Sequence, residues 1–169
     1  MIKGLLVIIP CGAGKVWDNA PNYGPCLAKD AYTGSPFKVN RKYAEKFAEK
    51  WVILSAKYGY IDTDFIIPGD YNVTFKDLRT QPVDVGVLKE QVSSMGLDQF
   101  SQIIGLGGIE YRNRIKASYS TFNIQIQFPF ADRGLGIGQQ ISLIKKTIES
   151  GEPSPSVNIR SSSEDIIQI

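Results

Sequence analysis

The chain has 169 residues, 43% hydrophobic and 21% charged, with 19 Lys and Arg against 17 Asp and Glu. Such a chain buries about two-thirds of its unfolded surface in one globular domain, which excludes intrinsic disorder, and its formal charge of +2 excludes a polybasic binder. Histidine is absent, which removes imidazole bases, Ser-His and Cys-His pairs and His-ligated metals, so neither a metal nor another cofactor is expected.

In chain order, Leu5-Leu6-Val7-Ile8-Ile9 reads as a central parallel strand, apolar on both faces. The opening MIKGLLVIIP is too short an apolar run for a signal peptide or a membrane span, so a cytoplasmic, soluble protein without a membrane partner is expected. Two cysteines, Cys11 and Cys26, are expected as reduced thiols in such a compartment, with a redox or disulfide pair between them as the alternative. Phe37, Tyr43, Ala44, Phe47 and Ala48 recur at helical spacing behind Pro36 and predict a helix to about Lys50. A second strand, Trp51 to Leu54, stops at Ser55-Ala56-Lys57-Tyr58-Gly59.

Phe65 to Val73, interrupted by Pro68-Gly69, reads as loop, and a helix follows Pro82 through Val85, Leu88, Val92 and Met95. The third strand is Gln102 to Leu106, broken by Gly107-Gly108 and followed by a short helix from Ile109 to Ala117. A fourth strand lies around Asn123 to Phe128, and after Gly134, Gly136 and Gly138 the last helix carries Ile137, Ile141, Leu143, Ile144 and Ile148. One α/β domain over 1–151 therefore precedes a Ser/Pro-rich tail over 152–169, expected to lie loosely on the surface, whose closing Asp165 to Ile169 offers an edge strand or an intermolecular contact.

Strands alternating with helices imply βαβ crossovers, hence a three-layer α/β/α sandwich around a mainly parallel four-stranded sheet with the first strand central. Ligands then bind beyond the carboxyl ends of the strands. Those ends carry Cys11-Gly12-Ala13-Gly14-Lys15 with Asp18, then Ser55 to Gly59, then Gly107 to Arg112, then Phe128 to Gly134 with Arg133. Gly12, Gly14 and Lys15 suit anion binding or simply a tight turn, since Val16 follows Lys15 where a Walker loop has Ser or Thr. A buried strand has no packing reason to end in the hydroxyl, cation and ring of Ser55, Lys57 and Tyr58, so these are expected to face a ligand, or else to form a solvated strand end with Tyr58 packed on the core. Asp70 and Tyr71 after Pro68-Gly69 bring a carboxylate and a ring to the same edge, or form an ordinary turn.

In order, Cys11-Gly12-x-Gly14-Lys15, Ala31-Tyr32-Thr33-Gly34-Ser35-x-Phe37, Trp51 to Gly59 and Asp70-Tyr71-Asn72-Val73-Thr74 resemble a family of small bacterial, archaeal and phage proteins of unknown function. That family is similar to the uracil-DNA-glycosylase-like superfamily, including the domain attached to archaeosine tRNA-guanine transglycosylases. The resemblance covers roughly residues 5 to 75 and implies a three-layer α/β/α fold with a nucleobase-sized pocket. The authentic uracil glycosylases carry a Gly-Gln-Asp-Pro-Tyr loop and a late His-Pro-Ser loop, and this chain has neither.

The expected function is nucleobase recognition or N-glycosidic cleavage on nucleic acid, DNA ahead of RNA. Asp18, Asp70 and Glu110 are the candidate carboxylates for an oxocarbenium-like transition state. Tyr32, Phe37 and Tyr58 would stack a base, and Lys15, Lys57, Arg112 and Arg133 would hold phosphates. The alternative is a non-catalytic module that binds a nucleotide, an anion or another protein. Cys11 as a nucleophile is a third reading, which lacks a histidine base.

Overall fold

The computed structural model describes residues 1–131 and 134–155; Arg133 and the closing Asp165 to Ile169 lie outside the described residues. The main sheet is built on β1 (Ile2–Pro10), which lies between two parallel neighbours, β3 (Ala48–Ser55) and β6 (Gln102–Gly105). Its edges are β4 (Gly59–Ile61) beside β3 and β7 (Ile126–Gln127) beside β6, giving the order β4-β3-β1-β6-β7. Every residue of β1 from Leu5 to Ile9 is fully buried because helices cover both faces. Leu5, Val7 and Ile9 meet α3 (Ser35–Phe47) and α6 (Ile137–Ser150) through Tyr43, Phe47 and Ile144. Leu6 and Ile8 face the opposite way, onto Leu88 and Val92 of α4 (Val85–Ser94) and Ile115 of α5 (Ile109–Ser118).

Among the described residues the sheet has five strands rather than the expected four. The additional one, β4, runs antiparallel to β3 across a tight turn closed at Gly59, where φ is +75°. Three residues are too few to show a period of two, so this hairpin reads as a loop in sequence. The helix after Pro36 ends at Phe47, not Lys50, and the second strand begins at Ala48, not Trp51. Sheet pairing overrides helical periodicity here: Ala48 pairs with Ile2 and Lys50 with Leu6. The fourth strand shrinks to Ile126 and Gln127, cut short by Pro129.

Outside the main sheet, β2 (Cys26–Leu27) pairs antiparallel with β5 (Ile66–Ile67), inside the stretch expected as loop. Two short helices, α1 (Val16–Asn19) and α2 (Ala28–Ala31), connect β1 to α3. The start of the tail is anchored, since the Tyr43 hydroxyl donates to the Pro153 carbonyl. Among the described residues no helix is long and apolar enough to cross a membrane.

Candidate functional site

The chain leaves β1 for β3 on one side and later places β6 on the other, so strand order reverses at β1 and a crevice opens beyond its carboxyl end. Backbone bonds hold the lips of this crevice: the Cys11 N–H donates to Leu54 O at 3.0 Å and the Leu106 N–H to Ile8 O at 2.9 Å. Gly107 then turns at φ +116°, and a Cβ there would stand 3.0 Å from Pro10 Cγ, so only glycine lets the two strand ends approach.

Three helices begin at this crevice. The residues that precede them, Gly34 for α3, Gly108 for α5 and Gly136 for α6, are all glycines, so no capping side chain accepts from the first-turn N–H groups. Pro36, Glu110 and Ile137 from those first turns join Pro10, Cys11 and Tyr111 around a cavity of about 400 Å³. The helix ends make its rim electropositive. One turn into α3, Asn40 lines the same cavity at 3% exposure, and its Oδ1 is buried without a hydrogen-bond partner. One turn into α6, Gln140 is fixed by donating from Nε2 to Leu135 O at 2.9 Å.

Cys11 Sγ and Tyr111 Oη, 3.2 Å apart, form a wall. On its far side lies a second cavity of about 310 Å³, lined by Gly12, Ala13, Lys15 and the stretch from Tyr71 to Lys76. Lys76 reaches both cavities. Beneath the second one, Tyr71 gathers much of what the strand ends carry. Its hydroxyl is 2.6 Å from that of Tyr32 and 3.1 Å from Ser55 Oγ, and Ser55 Oγ also accepts the N–H groups of Lys57 and Tyr58, each at 3.2 Å. Lys15 Nζ stands 4.5 Å and Lys57 Nζ 5.6 Å from the Tyr71 ring centre, and the Tyr58 ring meets it edge-on at 5.5 Å. Burial, foremost, pushes the Tyr32, Tyr71 and Tyr111 hydroxyls well above their ordinary range, so all three stay protonated and able to donate.

The three candidate carboxylates are dispersed. Glu110 lines the larger cavity. Asp18 accepts the Lys15 N–H at 2.8 Å from within α1, and Asp70 accepts the N–H of Tyr71 at 2.8 Å, so each serves a local backbone turn and lines neither cavity. Gly14 accepts the Thr33 N–H at 3.0 Å behind the loop. Tyr32 and Phe37 pack on each other at 5.0 Å within the core, so neither offers a free face for stacking. Arg112 lines the larger cavity with its Nε buried and unpartnered. Asn40, Lys76 and Gln140 escape a reading of strand ends because they sit on helices and in a loop. Asn40 does leave a signal, since it occupies the apolar stripe of α3 formed by Phe37, Ala44 and Phe47.

Residues 6–146 match a family described as being of unknown function, DUF6884. Over 144 residues the chain is 33% identical to the uncharacterized protein YfjM of Bacillus subtilis (strain 168), covering 85% of this chain and 95% of that one. Among solved structures, the crystal structure of AF0587, a protein of unknown function, is similar at 14% identity with a TM-score of 0.41. That likeness covers 86% of this chain, which spans less than half, 44%, of the solved one.

Proposed function

The chain belongs to this family of unknown function, and we propose that it recognises a nucleobase in the 400 Å³ cavity and cleaves its N-glycosidic bond with Glu110 as the reacting carboxylate. Asn40 carries the reading. A buried amide oxygen without a protein partner takes its hydrogen bond from water or a ligand, and base edges present the donors and acceptors that an amide matches. The volume falls in the range of small-molecule sites. The resemblance of the strand-end motifs to the uracil-DNA-glycosylase-like superfamily supports the same ligand class.

As the base departs with the electron pair of the C–N bond, positive charge grows on the sugar, and a carboxylate at the position of Glu110 stabilises it while accepting a proton from the attacking water. The electropositive first turn of α5 opposes the negative charge on the leaving base. The partner is nucleic acid, with DNA ahead of RNA. The test is incubation with single- and double-stranded DNA and RNA, with ordinary and modified bases, followed by chromatography of free base. Wild-type protein is expected to release a base, and Glu110→Gln to bind undiminished with release slowed by roughly a hundredfold or more.

A second reading, a non-catalytic nucleotide-binding module, gains from the positions of Asp18 and Asp70. With both held by backbone N–H groups, the cavity has, among the described residues, a single carboxylate where glycosidases commonly use two. Tight nucleotide binding without base release from any substrate selects it.

A further inference from the structure

We infer that the 310 Å³ cavity beyond the Cys11–Tyr111 wall is a phosphate site built on Lys15, and that the ligand of this protein is phosphorylated. The second clause rests on the nucleobase reading of the neighbouring cavity; the phosphate site does not. Lys15 is 7% exposed, an extent of burial at which a lysine is ordinarily matched by a carboxylate. Here the match is missing. Its Nζ donates to the neutral Ala13 carbonyl at 3.1 Å and rests over the Tyr71 ring. Asp18, the nearest acid in sequence, accepts the backbone N–H of Lys15 through Oδ2 and forms no ion pair with its ammonium. The ion pairs among the described residues join Arg41 to Asp30 and Glu45, Lys50 to Asp62, and Arg79 to Asp77, and none includes Lys15.

Both groups that hold the ammonium, Ala13 and Tyr71, line the cavity, so the charge is presented to that space. Among the described residues no Asp or Glu lines it, whereas Lys76 adds a second lysine. A buried charge with no counter-charge is costly, and an anion entering from solvent removes that cost. Two lysines on one wall suit a phosphate anion, and the volume admits a phosphate together with its ester oxygen and part of a sugar. Lys76 lines both cavities, so the phosphate site and the base site share one wall.

The experiment is thermal denaturation and calorimetry with inorganic phosphate, a nucleoside, its 5′-monophosphate and a short oligonucleotide, on wild-type protein, Lys15→Met and Lys76→Gln. Lys15→Met keeps an unbranched apolar stem of nearly the same length and removes the ammonium together with its bond to the Ala13 carbonyl. Phosphate is expected to raise the wild-type transition temperature in a concentration-dependent way, and Lys15→Met to weaken phosphate roughly tenfold or more. No phosphate-dependent shift in the wild type, or an equal shift in Lys15→Met, overturns the inference. Should Lys15→Met not fold, the exposed Lys76→Gln decides, and unchanged phosphate affinity there overturns it too. Displacement of phosphate by the oligonucleotide identifies an internal phosphodiester as the source, and displacement by the monophosphate alone identifies a free nucleotide. Phosphate binding through Lys15 without base release removes the glycosidic reading and keeps this site. Base release as fast in Lys15→Met as in wild type, with no phosphate binding, does the reverse.

Discussion

A buried polar atom left without a partner costs about 1–3 kcal/mol, and Asn40 places such an atom in the apolar stripe of α3, where leucine would incur no such cost. On the proposed reading a ligand, and not stability, accounts for this amide. Replacing Asn40 by Leu is therefore expected to raise unfolding free energy by roughly 1 kcal/mol in urea while abolishing nucleoside binding. A loss of stability with binding intact would show that the amide serves the fold. Tyr71 is the opposite case. Its hydroxyl joins Tyr32 to Ser55 in the interior, so Tyr71→Phe leaves hydrogen-bonding groups unpaired and should lower stability by about 1–3 kcal/mol, measured the same way. Neither effect is visible as a motif in sequence. Asn40 shows as a polar residue on an apolar face, but the ring of Tyr71 in a Pro-Gly-Asp-Tyr stretch reads equally well as a surface turn.

Elements with strong periodicity were legible: α3, α6 and the buried strands β1, β3 and β6 carry their own apolar pattern. The edge strand β4 was not, because it is held from outside by α4. Gln91 of α4 accepts the Tyr60 N–H at 2.8 Å and donates to Tyr58 O at 2.9 Å, clamping both sides of the hairpin at Gly59. A Cβ on Gly59 would collide with the Gln91 carboxamide, and φ of +75° strains any L side chain. Gly59→Ala is thus expected to destabilise the protein by roughly 2–4 kcal/mol, adding backbone strain to two lost hydrogen bonds. In combination with Gln91→Ala the total should fall short of the sum, because the clamp can be lost only once. Additive effects in chemical denaturation would mean that the collision is relieved without moving Gln91.

At the scale of the molecule, parallel topology is what makes residues a hundred positions apart, Cys11 and Tyr111, into neighbours, and the alternation of strands and helices was enough to anticipate a shared edge. What topology does not determine is which acid faces the crevice. That depends on the phase at which α5 begins for Glu110, and on local turns that take up Asp18 and Asp70. The same burial that builds the site also sets how the protein responds to alkali. Burial, as the largest cause, raises the hydroxyls of Tyr32, Tyr43, Tyr60, Tyr71, Tyr111 and Tyr119 above the value near 10 that an unfolded chain shows. Below that pH both states hold these protons and stability is complete. Above it the unfolded chain releases protons that the native state retains, so stability falls as pH rises, by up to about 1.4 kcal/mol per pH unit for each tyrosine. Six such groups together approach roughly 8 kcal/mol per unit, comparable with the whole stability of about 5–15 kcal/mol expected of a domain. The protein should therefore unfold within about one to two pH units above pH 10, in a single steep step. Circular dichroism and tyrosinate absorbance followed together are expected to change at the same pH. Gradual appearance of most of the tyrosinate signal while the fold persists would show that these hydroxyls are open to solvent and that the hub beneath the second cavity is not sealed.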